Sequence, residues 1–320
     1  MKVLVGPNNL ALESVLDALR PRYPDITFAH CPDRAGLAAA LADADVYLGW
    51  LSGEEFLAAR RLRWIQSPSS GIDRFLAIPE LAAGQVLLTS ARGTHGACLA
   101  EHTFAMILAF TRRIREYVFA QGRHEWANRE LRPAMRELTG ATMGIIGLGA
   151  VGRAIARRAA AFDMRVVAVD AVPAEAPEGV AWLCGPDGLG RLLDEADYVV
   201  VTVPWTPETV GLIGAEELAR LKPTAMLVGI SRGGIIDEAA LLAALREGRL
   251  AAAALDVTAT EPLPADSPLW EEPNLLITPH VAGGTQYETA HILEIFTENL
   301  ARLLRGELPL RNQIDKARGF

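Results

Sequence analysis

Cysteine and positive charge are scarce in this chain, and each scarcity excludes a class of protein. Three cysteines occur in 320 residues, at Cys31, Cys98 and Cys184. Their number is odd and none has the close spacing of a metal-ligand pair, so neither a disulfide framework nor a metal site is predicted. With 31 basic against 39 acidic residues and a net charge of −8, the chain offers no basic surface for nucleic acid phosphates.

Long hydrophobic runs are also missing, although 50% of the residues are hydrophobic and 22% are charged. That composition is typical of globular proteins and excludes disordered, collagen-like and coiled-coil chains. The most apolar stretch, residues 97–110, contains Glu101 and His102, whereas a membrane span needs about 18 apolar residues. Residues 1–5 are followed at once by Gly6 and Pro7, which favours a first strand over a signal peptide. We therefore predict a cytoplasmic protein with no membrane partner.

Two series of short apolar runs alternate with helical segments, a pattern typical of an α/β fold with parallel sheets. At roughly 100 to 200 residues per domain, the length predicts two domains. Runs such as Val199 to Val201 are apolar on both faces, as expected of a parallel strand covered by helices on both sides. The predicted strands are 3–5, 26–29, 46–48, 64–66 and 86–89 in the first series, and 143–146, 166–169, 198–201, 227–230, 253–257 and 275–277 in the second.

Two long helices are predicted outside this alternation. Residues 97–119 keep helical periodicity and carry the basic residues Arg112, Arg113 and Arg115, which suit a helix C-terminus. Residues 286–305 follow the final strand. If that helix packs against the first series, the N-terminal domain is discontinuous in sequence.

A glycine-rich turn stands between a predicted strand and a predicted helix. Gly147, Gly149 and Gly152 follow strand 143–146 and precede helical residues 153–162. In this context the first glycine allows a tight turn, the second lets a pyrophosphate approach the backbone, and the third permits close helix packing. Asp170, at the end of the next strand, can accept hydrogen bonds from ribose hydroxyls and would repel a 2′-phosphate. No arginine follows it directly, so the sequence predicts NAD rather than NADP.

Three residues that suit acid-base chemistry on an organic acid also follow predicted strands. Arg232 can clamp a carboxylate, His280 can exchange a proton near neutral pH, and Glu261 can orient and charge that histidine. Each has a simpler interpretation alone, as a solvated charge, a capping or core histidine, or a loop carboxylate. One catalytic geometry would account for all three.

Five segments resemble the D-isomer-specific 2-hydroxyacid dehydrogenase family, and they come in the family's order. They read GIIGLGAVGRAIARRAAAF, VTVPWTPETVGLI, ISRGGIIDEAALLAAL, ALDVTATEPLP and ITPHVAGGT. The resemblance implies an α/β fold in which a Rossmann-type, doubly wound NAD-binding domain, residues 98–283, is inserted into a smaller flavodoxin-like substrate domain, residues 1–97 and 284–320. It also implies a small 2-keto or D-2-hydroxy acid as substrate and a homodimer through the NAD-binding domain. The dimer arm would be residues 97–119 and the polar segment that follows them, residues 121–138.

The resemblance assigns roles to individual residues. Arg232 would bind the substrate carboxylate and keto oxygen, His280 would be the acid and base, and Glu261 its partner. Ser70 and Gly71 lie in the loop whose backbone amides would hold the carboxylate. The implied cofactor contacts are Gly147, Gly149, Ala150, Val151, Gly152, Asp170, Val203, Ile230, Ser231, Arg232, Asp256, His280 and Gly283.

Differences from branches of the family restrict the substrate. Formate dehydrogenases have glutamine where this chain has Glu261, and phosphite enzymes have a lysine in the loop occupied here by residues 69–71. The segment around Trp50 is most similar to the glyoxylate/hydroxypyruvate reductase branch, although a core or interface role is favoured for Trp50 itself. An NAD(H)-sensing binding protein of the corepressor type shares the fold and stays an alternative. A Rossmann reductase acting on a sugar would not explain Arg232, Glu261 and His280 together.

Overall fold

The computed structural model describes residues 1–173 and 175–317, in which the chain forms two compact units. The first unit comprises Met1–His95 and the described part of Thr285–Phe320, and the second comprises Gly96–Gly284. Each unit has its own sheet and its own hydrophobic core.

The first unit is built from short strands that alternate with short helices. In chain order these are β1 (Lys2–Val5), α1 (Val15–Leu19), β2 (Thr27–His30), α2 (Leu37–Leu41), β3 (Val46–Leu48), α3 (Gly53–Ala58), β4 (Trp64–Gln66), α4 (Asp73–Leu76), α5 (Pro79–Ala83) and β5 (Leu87–Thr89). The strands form one sheet in the order β2-β1-β3-β4-β5, and each neighbouring pair runs parallel. The five strands are those predicted, with ends moved by one residue at β1, β2 and β5.

The second unit repeats the alternation on a larger scale. Its elements are α6 (Gly96–Thr111), α7 (Ile114–Gly122), α8 (Asn128–Leu131), β6 (Thr142–Ile146), α9 (Ala150–Ala161), β7 (Arg165–Val169), β8 (Val180–Cys184), α10 (Leu189–Glu195), β9 (Tyr198–Val201), α11 (Ala215–Arg220), β10 (Met226–Gly229), α12 (Glu238–Arg246), β11 (Ala252–Leu255) and β12 (Leu275–Ile277). A seven-stranded parallel sheet in the order β12-β11-β10-β9-β6-β7-β8 forms its centre. Because helices cover both faces, the inner strands β6, β9, β10 and β11 are buried along their whole length.

Strand β8 was missed from the sequence. It is an edge strand in which only Val180 is fully buried, while the other four residues are partly or fully exposed. A strand in this position needs no continuous apolar run, so the hydrophobic pattern does not reveal it.

The prediction of one continuous helix over residues 97–119 was wrong. Helix α6 ends at Thr111, Arg113 adopts a left-handed conformation with φ of 55°, and α7 begins at Ile114. The carbonyl of Thr111 accepts a hydrogen bond from the backbone amide of Arg136, at 2.9 Å. That bond satisfies the Thr111 carbonyl, which in a continuing helix would accept from an amide one turn further on. The break falls within the basic cluster that the sequence predicted to end the helix.

The last helix, α13 (Glu288–Arg305), packs on the core of the first unit. Phe296 stacks on Trp64 with ring centroids 5.3 Å apart. The fully buried side chain of Asn299 donates to the carbonyl of Arg311 and accepts from its amide, at 2.9 and 2.7 Å. These contacts anchor the segment that follows the helix.

Within the described ranges, no helix is both long enough and apolar enough to span a lipid bilayer.

Candidate active site

The sheet of the second unit places the predicted site residues along one edge. Arg232 follows β10, Asp256 follows β11 directly, and His280 lies three residues after β12. The glycine loop follows β6, Asp170 follows β7 directly, and Val203 lies two residues after β9. In a parallel sheet the carboxyl ends of all strands meet at the same edge, so these residues share one side of the unit.

The three glycines of the loop after β6 meet different constraints. Gly147 has φ of 96°, and a Cβ at Gly152 would lie 2.1 Å from the carbonyl oxygen of Gly147. Both positions therefore require glycine for the backbone path and for close helix packing. A Cβ at Gly149 would have no atom within 4 Å. The structure leaves room at Gly149, where the sequence predicts that a pyrophosphate approaches.

The surroundings of the loop fit a dinucleotide. The 12-residue helix α9 begins with Ala150 and Val151, so its amides and the positive end of its dipole face the side on which an anion would bind. Asp170 accepts hydrogen bonds from the amides of Leu148, at 2.7 Å, and Val172, at 3.0 Å. Its carboxylate thus lies against the glycine loop. The buried hydroxyl oxygen of Ser231 has no hydrogen-bond partner among the described residues, as expected of a polar atom that awaits a ligand.

An imidazole-carboxylate pair forms the chemical centre of this edge. Nδ1 of His280 lies 2.8 Å from Oε2 of Glu261, and Oε1 of Glu261 accepts from the amide of Thr258 at 3.1 Å. Because both oxygens of Glu261 are engaged, the carboxylate is held in place. Nδ1 donates to Glu261, which leaves Nε2 as the nitrogen that can exchange a proton with a ligand.

Asp256 holds the loop that carries His280. His280 has φ of 54°, a conformation that costs free energy for a side chain with a Cβ. The Asp256 carboxylate, 2% exposed, accepts from the amides of Val281 and Ala282, each at 3.0 Å, and its carbonyl accepts from the amide of His280 at 2.8 Å. These bonds fix the strained backbone that aims the imidazole.

His102 is a contributor that the sequence did not reveal. From α6, its Nε2 lies 2.9 Å from the hydroxyl of Thr278 and 3.6 Å from Oδ1 of Asp256, and the Thr278 hydroxyl itself donates to Asp256. His102 lies more than 150 residues from Asp256 in sequence. No local spacing could have connected the two.

The remaining predicted residues divide between the units. Arg232 is half-buried, and its Nη1 donates to the carbonyl of Ser231 at 2.6 Å. Ile230 is buried beside them, and the carbonyl of Gly283 accepts from the thiol of Cys98. The predicted substrate residues Ser70 and Gly71 belong to the first unit, in the loop after β4. Among the described residues, no cluster of histidine, cysteine, aspartate or glutamate side chains is suited to hold a metal ion.

Comparison with known proteins extends this description. The family model described as D-isomer specific 2-hydroxyacid dehydrogenase, NAD binding domain, matches residues 104–282. A glyoxylate reductase of Korarchaeum cryptofilum is 35% identical over 288 residues, which cover 87% of this chain and 85% of the relative. A D-3-phosphoglycerate dehydrogenase of Mycobacterium leprae is 37% identical over 88% of this chain, but this chain spans only 53% of its length. The solved NADPH-dependent glyoxylate/hydroxypyruvate reductase of Sinorhizobium meliloti superposes with a TM-score of 0.86, at 28% identity and 100% coverage of both chains.

The fold and the site together define a nicotinamide-dependent oxidoreductase. The chain belongs to the D-isomer specific 2-hydroxyacid dehydrogenase family, which confirms the predicted family and fold class. It is an NAD(P)-dependent dehydrogenase that transfers hydride between its cofactor and a 2-keto or 2-hydroxy acid.

The contrast between the glycines is testable by substitution. Gly149→Ala should leave the melting temperature unchanged, because its Cβ meets open space, but should raise the NADH dissociation constant by about tenfold or more if the pyrophosphate approaches there. Gly152→Ala should lower the melting temperature, because its Cβ would overlap the Gly147 carbonyl. Gly53→Ala, at the start of α3 with only one contact at 4.0 Å, is the matched control. Unchanged NADH binding by Gly149→Ala would contradict the assignment.

Proposed function

We propose that this enzyme reduces glyoxylate or hydroxypyruvate with NADH and that His280, Glu261 and Arg232 carry out the protein's part of the reaction. The observation that carries this proposal is the 2.8 Å contact between Nδ1 of His280 and Oε2 of Glu261. Relatives named glyoxylate reductase in K. cryptofilum and in Thermofilum pendens, each 35% identical to this chain, support the substrate class. The similarity around Trp50 points to the same branch.

His280 acts as the proton donor in this proposal. When bound, the nicotinamide supplies the hydride for the keto carbon. The keto oxygen then gains negative charge, and a protonated His280 delivers a proton to it from Nε2. Glu261 stabilises the protonated imidazole and fixes its orientation. In the reverse direction the neutral imidazole accepts the proton.

Arg232 binds the substrate carboxylate. Its planar guanidinium can form two parallel hydrogen bonds to a carboxylate, and its Nη1 contact with the Ser231 carbonyl restrains the side chain. Ser70 and Gly71, in the loop after β4 of the first unit, stay predicted substrate residues. A carboxylate is shared by every 2-keto acid, so this recognition selects the class of substrate and not its side chain.

The proton role has a kinetic signature. Single-turnover reduction of glyoxylate should slow as the pH rises, and glycolate oxidation should accelerate over the same range, because the two directions need opposite protonation states of His280. Glu261→Gln should slow the reduction, since a neutral amide holds the imidazole in place less firmly than the carboxylate does. His280→Ala should lose about 10² to 10⁴ in rate while NADH still binds.

His30→Gln, which removes a histidine of the first unit, provides the control for this series and should leave both profiles unchanged. A near-normal rate for His280→Ala would show that another group handles the proton.

The cofactor proposed is NAD(H). The structure holds the Asp170 carboxylate against the glycine loop, where a 2′-phosphate would meet its negative charge. The S. meliloti relative was solved with NADP, so the two cofactors must be compared directly. The ratio kcat/KM with NADH should exceed that with NADPH by about tenfold or more, which corresponds to about 1.4 kcal/mol. Asp170→Ala should reduce this preference, and an equal or greater kcat/KM with NADPH in the wild type would contradict it.

The homodimer implied by the family is supported by an exposed apolar surface on the predicted arm. Ile114, Val118, Phe119 and Trp126 are each at least half exposed, and Trp126 is 93% exposed. Such a patch is costly to leave in water. Light scattering should therefore give the mass of two chains, and Trp126→Glu should shift the protein toward one chain. Leu57→Glu, at an exposed leucine of the first unit, is the control. A wild-type mass of one chain would refute the dimer.

The cytoplasmic location of the protein stays a prediction.

A further inference from the structure

Helix α6 contacts both ends of the loop that carries His280. Near the start of that loop, Nε2 of His102 lies 2.9 Å from the hydroxyl oxygen of Thr278. Near its end, the thiol of Cys98 donates to the carbonyl of Gly283 at 3.4 Å. Cys98 and His102 are four residues apart in α6, so their side chains lie on one face of the helix. The loop is thus held to α6 on both sides of His280.

Another face of α6 packs against α9, the helix that follows the glycine loop. At the start of α6, a Cβ at Gly96 would lie 3.4 Å from the carbonyl oxygen of Ala150, the first residue of α9. Further along, the ring of Phe104 stacks on that of Phe162, with centroids 5.0 Å apart. The same helix therefore contacts the element that would hold the cofactor and the loop that carries the proposed proton donor.

The hydrogen-bond directions determine which atom of His102 carries a proton. The hydroxyl of Thr278 has a single proton, which it donates to Oδ1 of Asp256 at 2.5 Å. Toward His102 the hydroxyl oxygen can therefore only accept, so Nε2 of His102 is the donor. A chain of two hydrogen bonds thus runs from His102 through Thr278 to the Asp256 carboxylate.

Asp256 connects this chain to the backbone around His280. Its buried carboxylate accepts from the amides of Val281 and Ala282, each at 3.0 Å. Those two residues follow His280, whose φ of 54° is strained for a residue with a Cβ. Such a conformation persists only where the surrounding contacts hold it, and a displacement of about 1 Å near a reacting group can reduce a rate by about 10². The position of the imidazole therefore depends on how firmly Asp256 is held.

We propose that His102 is a positioning residue that donates a hydrogen bond to Thr278, fixes the loop of His280 to α6 and so keeps the proton donor aligned with the cofactor-binding elements. This inference rests on the proposed function, because it takes His280 as the residue that transfers the proton. His102 acts through Thr278 and Asp256, and not on the substrate itself. Its loss should therefore reduce the rate of the chemical step more than the binding of either ligand.

The kinetic test measures single-turnover reduction, with saturating NADH, of the 2-keto acid that the wild type uses. His102→Leu should lower the rate constant by about tenfold to a hundredfold, because a displaced imidazole transfers its proton less efficiently. The keto acid concentration that gives half the maximal rate, and the Kd for NADH, should each stay within about threefold of the wild type. Thr278→Val keeps the shape of the side chain but removes the hydroxyl, and it should cause the same loss of rate.

Two further variants separate this role from a general loss of packing. The double variant His102→Leu with Thr278→Val should be no slower than either single variant, because His102 acts through Thr278. His102→Gln, whose side-chain amide can donate to the same hydroxyl, should keep the rate constant within about threefold of the wild type. Thr103→Val is the matched control: it removes from α6 a hydroxyl that donates to the carbonyl of Leu99 in the same helix, at 2.7 Å, and should leave the rate unchanged.

Hydrogen exchange gives a readout that does not depend on turnover. In His102→Leu and in Thr278→Val, the amides of Val281 and Ala282 should exchange at least about tenfold faster than in the wild type, because their acceptor is held less firmly. His102→Gln should preserve their protection. If His102→Leu does not fold, Thr278→Val and His102→Gln carry both measurements.

Wild-type rates and protection in His102→Leu and Thr278→Val would overturn this inference. So would losses that multiply in the double variant, or a loss in His102→Gln as large as that in His102→Leu. A near-normal rate in His280→Ala would instead overturn the proposed proton transfer, and the exchange rates would still decide whether His102 holds the loop.

Discussion

Parallel strand pairing is the constraint on which the arrangement of the site depends. Neighbouring strands in a parallel sheet must be joined by crossovers, and the helices in those crossovers cover both faces of the sheet. The inner strands β6, β9, β10 and β11 are therefore buried along their whole length and have no place for a functional side chain. The polar side chains of the site therefore lie in the segments that follow the strands, joined by His102 from α6. The same geometry brings loops from residue 147 to residue 280 to one edge.

At that edge, the buried carboxylate of Asp256 holds the loop that carries His280, the proposed proton donor. Burying the charge of Asp256 without partners would cost several kcal/mol, and the amide donors of the His280 loop compensate for that cost. The same hydrogen bonds hold His280 in a left-handed backbone conformation, which costs about 1 to 3 kcal/mol. Glu261 then has only to meet an imidazole whose position is already set.

Each unit contains a histidine in hydrogen-bond contact with a predicted site residue. In the second unit Nδ1 of His280 contacts the carboxylate of Glu261, and in the first unit Nδ1 of His95 contacts the hydroxyl of Ser70. The indole nitrogen of Trp50 also donates to the hydroxyl of Ser69 at 3.0 Å, so the tryptophan that suggested the reductase branch contacts the same loop. In the proposed function, Arg232 and His280 account for the class of substrate.

The sequence by itself determined the features that local patterns encode. Alternating apolar runs predicted the parallel strands, the glycines after β6 predicted the turn and helix start, and the residues after strand ends predicted Arg232 and His280 as site residues. These signals are local because each arises from one strand, turn or helix. Tertiary structure alone decided the helix break at Arg113, where the amide of Arg136 donates a hydrogen bond to the Thr111 carbonyl. It also decided the contacts of His102 and His95 with partners distant in sequence. A hydrogen bond between residues far apart in the chain leaves no periodicity in the sequence, so only the folded chain reveals which side chains contact the predicted site residues.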